Sequence, residues 1–340
     1  MYILKMWAKN RLTTTLSSPN FNMKQRLETF DIARAIGILL VVIGHYNPDD
    51  APAWWKAANT CIYSFHMPVF IFVSGFIYSF YFKKGSYMSF MWKKVKRLFI
   101  PYLMASLIVV SIKLITQGEA YVEHPVTPTT YLEIFYLPAA GYYLWFVWAL
   151  FLMFAVVHLF QNRRGHIILF TLSIVVYFLP FELPDAFCLK EFQEKWVYFM
   201  GGVMIVDYKM WKMFDYRWFW AASITCFAAL YCCLCTLNHT QYLIVAFAGI
   251  GMVISASKML EHLIWVKQRV LLPMAMSSFT IYLYHTTFSG FAKAAFAKMS
   301  IPSHLFTAEA CIVVICGVLL PMAMHTLIKN SPKLKWAIGI

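Results

Sequence analysis

Long apolar segments recur along the whole chain. The 340 residues are 61% hydrophobic, 18% aromatic and only 13% charged. A helix needs about 20 apolar residues to cross the roughly 30 Å hydrocarbon layer of a bilayer. We therefore predict an all-α polytopic membrane protein without a separate soluble domain. Its ten predicted transmembrane helices lie at 32–47, 60–82, 98–116, 135–160, 167–181, 196–206, 218–237, 241–257, 272–292 and 306–328.

The basic residues are unevenly distributed between the loops. The chain has 29 Lys and Arg residues against 15 Asp and Glu, which gives a net charge of +14. With residue 1 in the cytoplasm, 22 of these cations lie on the inner side, six lie on the outer side and Arg34 lies within the first span. This asymmetry follows the positive-inside rule and predicts that both termini are cytoplasmic. The basic charge is thus explained by topology, and no nucleic-acid partner is expected.

The chain divides into three predicted segments. Residues 1–23 form a basic, flexible N-terminal tail without the apolar core of a signal peptide. Residues 24–330 form the membrane domain, and residues 331–340 form a short cytoplasmic tail. Most cysteines fall within spans, and no pair has zinc-like spacing joined to matching histidines. We interpret them as small apolar side chains and expect neither a disulfide framework nor a metal site.

The first span carries three ionisable residues, Asp31, Arg34 and His45. At 3.6 residues per turn they fall within a sector of roughly 60° on one helix face. An ionisable side chain at membrane depth costs a few kcal/mol, so it normally faces a cavity or other protein. This pattern predicts a membrane-embedded site.

Two further histidines, His66 and His285, lie at a similar predicted depth. Counting from the inner ends of their spans, the three histidines lie about 21–25 Å above the cytoplasmic surface at ~1.5 Å per residue. Ser278 and Ser289 share the helix face of His285. Each histidine alone is interpreted equally well as a residue of a helix interface, but three at one level favour a shared site.

A cluster of cations follows the second span, and Lys94 and Arg97 within it are one helical turn apart. Such cations either set the topology or bind phosphates at a water-filled mouth. Ser74-Gly75 in the second span predicts close approach of a neighbouring helix. The aromatic segment 141–148 is interpreted either as an interfacial belt or as the wall of an acceptor groove.

Together these segments resemble the acyltransferase 3 family of integral membrane acyltransferases, and within it the fucose 4-O-acetylase-like branch. The similarity covers about residues 24–328. In the first span, the matching residues are Asp31, Arg34 and, after ten further residues, His45. In the second span, they are Phe65-His66-Met67-Pro68 and Ser74-Gly75. The basic motif Lys94-x-x-Arg97-Leu98-x-x-Pro101-Tyr102 and the segment Tyr282-Leu283-Tyr284-His285 complete the match. The family's basic motif usually has Arg where this chain has Lys94.

The resemblance implies transfer of an acyl group, commonly acetyl from cytoplasmic acetyl-CoA, to a sugar hydroxyl of a glycan or lipid-linked precursor. It implies a bacterial inner-membrane location, with Lys94, Arg97 and Tyr102 at the donor site and no metal. A transporter or flippase of glycan precursors is the alternative, although no repeated halves are visible. The sequence specifies neither the acceptor nor the oligomeric state.

Acyl transfer to a hydroxyl needs a base near neutral pH and a donor group for the developing oxyanion. We expect His45 to be the base, oriented by Asp31 and Arg34, with His66 as a second base or oxyanion donor and His285 beside them. Because the basic cluster and the histidines lie at different depths, we also expect a continuous polar tunnel from Lys94 and Arg97 to His45.

Overall fold

The computed structural model describes residues 19–118, 125–233, 238–299, 305–331 and 334–339, and within these ranges it contains helices and no strands. The α-helices are α1 (Pro19–Gly44), α2 (Ala53–Tyr63), α3 (His66–Phe80), α4 (Tyr87–Lys94), α5 (Ile100–Thr116), α6 (Thr130–Glu133), α7 (Trp145–Val157), α8 (Arg163–Tyr177), α9 (Leu189–Asp207), α10 (Arg217–Cys233), α11 (His239–Leu260), α12 (Ile264–Val266), α13 (Leu272–Met299) and α14 (Phe306–Lys329). Short π-helices span Val95–Phe99 and Lys267–Leu271, and 3-10 turns span Tyr142–Leu144, Ala186–Cys188, Met210–Asp215 and Lys335–Ile338.

Helices α3 and α9 form the centre of the bundle and touch through their backbones. A Cβ built on Gly75 would lie 2.0 Å from the carbonyl oxygen of Phe199, and one built on Gly202 would lie 2.1 Å from that of Phe72. Small residues at helix crossings in membranes permit this distance. The close approach expected at Ser74-Gly75 is therefore confirmed, with α9 as the neighbouring helix.

Helix α1 lies against α3, α11 and α13, and α14 packs on the outer side of α13. Ion pairs fasten this group at one end, where Lys267 Nζ lies 2.9 Å from Glu28 Oε2 and Lys258 Nζ lies 3.0 Å from Asp215 Oδ1. The charged motif of α1 is thus held inside the bundle.

Among the described residues, four helical stretches are long and apolar enough to cross a membrane: Ala53–Phe80, Tyr87–Thr116, His239–Leu260 and Phe306–Lys329. The predicted all-helical membrane architecture is supported in this coarser form, and ten transmembrane helices with cytoplasmic termini stay a prediction. Two predicted spans differ in detail. The span at 60–82 is broken between α2 and α3, and the span at 135–160 becomes α-helical only at Trp145.

The two predicted tails differ in how much the structure describes. Residues 1–18 lie outside the described residues, and α1 begins at Pro19, inside the segment predicted as a tail. In the C-terminal tail, the turn Lys335–Ile338 packs against α5. Six described cysteines, including the buried Cys188, carry free thiols.

Gly202→Ala should destabilise the protein. The added methyl group would overlap the backbone of α3, and overpacking of this kind costs about 1–3 kcal/mol or more. Thermal unfolding of the detergent-purified variant should show a lower midpoint than the parent. Gly290→Ala in α13 is the matched control, since its Cβ meets nothing within 4 Å. Equal midpoints for the two variants would contradict the backbone contact.

Candidate active site

Three histidines from different helices gather near one end of the bundle. The ring centroids of His45 and His285 are 4.9 Å apart. Tyr63 links the pair to the third histidine, with its ring 6.4 Å from that of His45 and 4.9 Å from that of His66. His66 and His285 are buried, and His45 is partly exposed. The structure therefore brings together the three histidines that the sequence placed at one depth.

The hydrogen bonds of the rings define which nitrogen carries the proton in each neutral histidine. Nδ1 of His45 lies 2.8 Å from the carbonyl oxygen of Val41, and Nδ1 of His66 lies 2.9 Å from that of Ile62. Nδ1 of His285 lies 2.9 Å from the carbonyl oxygen of Tyr282. A carbonyl oxygen only accepts, so each Nδ1 must donate, and Nε2 carries the lone pair. A lone pair on Nε2 is the form that a general base requires.

Nε2 of His285 is buried and has no hydrogen-bond partner among the described residues. Twelve buried side-chain atoms of the described residues share this state, and each calls for a structural or functional explanation. Tyr143 closes the cluster, with its ring 5.9 Å from His45 and 5.2 Å from His285, and its hydroxyl donates to the carbonyl oxygen of Leu283. The segment 141–148 therefore contributes a wall of the histidine cluster, although Tyr142 is exposed.

A cavity with a volume of about 270 Å³ lies on the other side of Tyr282 from the histidines. It lies between α1, α3, α7, α13 and the C-terminal turn, and both Arg34 and Arg97 line it. Its polar lining also includes Ser74, Ser278, Thr280 and His325, and its apolar lining includes Met67, Phe70, Phe146 and Leu150. One chamber thus offers guanidinium groups, hydroxyls and an apolar wall.

Only part of the hydrogen-bonding capacity of the Arg34 guanidinium group is used by its neighbour. Its Nη2 lies 3.0 Å from Asp31 Oδ1, an ion pair between residues one turn apart. Its Nε is buried and has no hydrogen-bond partner in the described part of the chain. A guanidinium with an unpaired N–H at a cavity wall is suited to an anionic ligand, because its donors match the oxygens of a phosphate or carboxylate.

Two residues expected at the donor site do not line this cavity, and their role in donor binding stays a prediction. The Lys94 ammonium packs over the ring of Phe154, 3.5 Å from its centroid, and does not line the cavity. The Tyr102 hydroxyl donates to the carbonyl oxygen of Ile134 and, at 3.1 Å, to that of Leu137. The π-helix Val95–Phe99, which has a wider turn than an α-helix, begins directly after Lys94 and contains Arg97.

The lining of this cavity does not extend to the histidine cluster, and the expected continuous tunnel stays a prediction. Tyr282 lines the cavity, and its ring lies 6.4 Å from that of His285. Its hydroxyl donates to the backbone carbonyl of Tyr143, which holds the ring between the two sites. Neither His45 nor His285 is among the described residues that line the cavity. Cavity and histidine cluster are thus neighbours with one side chain between them.

Two features near the site were not found in the sequence. His325 and Thr280 meet at the cavity wall, and Asp207 receives hydrogen bonds from His166, at 2.6 Å, and Ser79, at 2.7 Å. The second group joins the ends of α3, α8 and α9. No group of three or more His, Cys, Asp or Glu side chains arranged for a metal ion occurs in the ranges that the structure describes.

The fold and the site define a helical membrane protein with a buried histidine cluster next to a cationic cavity. The family model described as an acyltransferase domain matches residues 27–326. The chain therefore belongs to the acyltransferase 3 family.

Two proteins with similar sequences are both described as nodulation protein NolL. The protein from Mesorhizobium japonicum is 27% identical over 217 residues, which covers 61% of this chain and 55% of that protein. The protein from Sinorhizobium fredii is 29% identical over 217 residues, which covers 58% of this chain and 56% of that protein. The matched region thus spans about half the length of these relatives. No solved structure matches the chain.

Gly339→Ala should loosen the C-terminal turn from the cavity. Gly339 has a φ of 78°, and a Cβ there would lie 2.6 Å from the carbonyl oxygen of Arg97. The left-handed conformation alone costs a residue with a Cβ about 1–2 kcal/mol. Hydrogen–deuterium exchange of residues 335–338 should become faster than in the parent. Gly118→Ala, whose Cβ meets nothing within 4 Å, is the control, and unchanged exchange in Gly339→Ala would refute the contact.

Proposed function

We propose that this chain is a membrane O-acyltransferase that moves an acyl group from cytoplasmic acyl-CoA to a sugar hydroxyl. The simplest donor is acetyl-CoA, and the acceptor is a cell-envelope glycan or a lipid-linked precursor at the bacterial inner membrane. The assignment to a fucose 4-O-acetylase-like branch belongs to this proposal. Membership of the acyltransferase 3 family supports the reaction class.

The contact between His45 and His285 is the observation that carries the proposal. Both rings donate Nδ1–H to their own helix, so each neutral ring turns its basic nitrogen away from the backbone. Histidine is suited to proton transfer near physiological pH, and two histidines in contact can provide one base and one hydrogen-bond donor. A packing role alone does not require an unpaired Nε2 on His285.

In the proposed reaction, Nε2 of His45 takes the proton of the acceptor hydroxyl as its oxygen attacks the thioester carbonyl carbon. The negative charge that develops on the carbonyl oxygen is stabilised by a hydrogen bond from a neighbouring histidine, His285 or His66, which carries a proton on Nε2 for this step. The carbon–sulfur bond then breaks, the ester is complete, and the proton on His45 passes to the departing thiolate. Along α1, at ~1.5 Å per residue, Arg34 lies about 16 Å and Asp31 about 21 Å from His45, so they serve the donor and not the base.

The cavity is the proposed site of the donor. Arg97 and Arg34 offer the charge that phosphates require, and the apolar side chains of Phe146 and Leu150 suit the pantetheine arm. The thioester reaches the histidines when the Tyr282 ring moves aside, which breaks one hydrogen bond to Tyr143. In this arrangement the expected tunnel is closed at Tyr282 until its ring moves.

His45→Ala should abolish acyl transfer. Loss of a general base typically lowers the rate by 10²-fold or more. The measurement is acetylation of cell-surface glycan, compared at matched protein abundance in the membrane. His262→Ala is the control, since His262 is exposed and far from the cluster in sequence. More than about a tenth of the parent activity in His45→Ala would eliminate the role of base.

Arg97→Gln should weaken donor binding much more than Lys94→Met. Only Arg97 lines the cavity, whereas Met preserves the packing of the Lys94 stem against Phe154. Loss of a hydrogen bond to a charged group costs about 1.5–3 kcal/mol, or roughly tenfold or more in the dissociation constant. Calorimetric titration of the purified variants with acetyl-CoA provides the measurement. If Lys94→Met shows the larger loss, the donor is not in this cavity.

A further inference from the structure

His325 is a buried ionisable residue that the proposed reaction does not use. It lies in α14, one turn before the final residue Lys329, and its side chain lines the cavity. Only 6% of its surface is exposed. Its Nδ1 lies 2.8 Å from Oγ1 of Thr280 in α13, and Thr280 also lines the cavity. The hydroxyl of Thr280 therefore fixes the orientation of the imidazole ring at the cavity wall.

The lining of the cavity falls into two groups. A Cβ on Gly339 would lie 2.6 Å from the carbonyl oxygen of Arg97, whereas the ring of Phe146 lies 5.2 Å from that of Tyr282, which in turn lies 6.4 Å from that of His285. A ligand with phosphates at one end and an apolar arm at the other matches this division. Arg34, with its unpaired buried Nε, adds a second guanidinium to the wall.

We propose that His325 binds a phosphate group of the donor, together with Arg97 and Arg34, and that Thr280 positions its ring. When Thr280 donates to Nδ1, the proton of the neutral ring is on Nε2, which then donates to a phosphate oxygen. Protonation of the ring adds a charge-assisted hydrogen bond, which is stronger. This inference rests on the proposed function and specifies which part of the donor each wall of the cavity binds.

The experiment compares three ligands that differ in phosphate content: coenzyme A, its 3′-dephospho form and phosphate-free pantetheine. Their dissociation constants are measured by calorimetry with the full-length protein and with His325→Leu, His325→Gln, Thr280→Val and Thr280→Ser. Lys329→Gln is the matched control, since it removes a nearby charge on the exposed side of the same helix. Thermal unfolding midpoints establish that each variant is folded.

We expect His325→Leu to weaken coenzyme A binding about tenfold, the effect of losing one hydrogen bond to a charged group. Pantetheine binding should not change. His325→Gln, which retains an N–H donor, should recover part of the affinity. Thr280→Val should weaken coenzyme A binding and Thr280→Ser should restore it, because only the hydroxyl is needed. Lys329→Gln should match the parent.

Three results would overturn the inference. Equal losses for coenzyme A and pantetheine would make His325 a packing residue. Unchanged coenzyme A affinity in a folded His325→Leu protein would show that His325 does not bind a phosphate. The proposed function would not be affected by this result. Failure of the parent protein to bind coenzyme A would refute the proposal that acyl-CoA is the donor, and the inference about His325 with it. If His325→Leu does not fold, the Thr280 pair decides: equal affinities for Thr280→Val and Thr280→Ser would contradict the positioning role.

Discussion

The site depends on one constraint: polar groups buried among apolar helices must be satisfied by each other or by a ligand. Each histidine of the cluster meets this constraint through Nδ1 and a carbonyl oxygen four residues earlier in the chain, which for His66 belongs to the preceding helix α2. The atoms that stay without a partner among the described residues include Nε2 of His285 and Nε of Arg34. They lie at the two places where the proposed chemistry needs hydrogen-bond donors, to the oxyanion and to a phosphate.

Departures from regular α-helix position these groups. The break at Ser64 and Phe65 ends α2 and starts α3 at His66, which brings that ring beside Tyr63. The π-helix that follows α4 directs Arg97 to the cavity and Lys94 into an aromatic contact. Such insertions are frequent at functional sites because they alter the register of a helix face without ending the helix.

The sequence was informative where a single helix determines the geometry. The Asp31–Arg34 ion pair follows from their spacing of three residues, and the common depth of the histidines follows from the rise per residue. Contacts between different helices were not predictable in this way. The pairing of Thr280 with His325 joins α13 to α14, and Tyr282 separates the cavity from His285 through a hydrogen bond to Tyr143. The π-helix between α4 and α5 was not predicted, and the joint role of Lys94 and Arg97 stays a prediction. Roles of individual residues in catalysis stay predictions.

The central claim is that the cationic cavity and the histidine cluster serve one reaction, with the donor passing from one to the other at Tyr282. An experimental structure with a non-hydrolysable acyl-CoA analogue would test this claim most directly. The account predicts phosphates against Arg97 and Arg34, and a displaced Tyr282 ring. It also predicts the thioester position within hydrogen-bonding or van der Waals reach, about 3–4 Å, of the cluster formed by His45 and His285. An analogue bound outside the cavity, or one whose acyl end points away from the histidines, would contradict it.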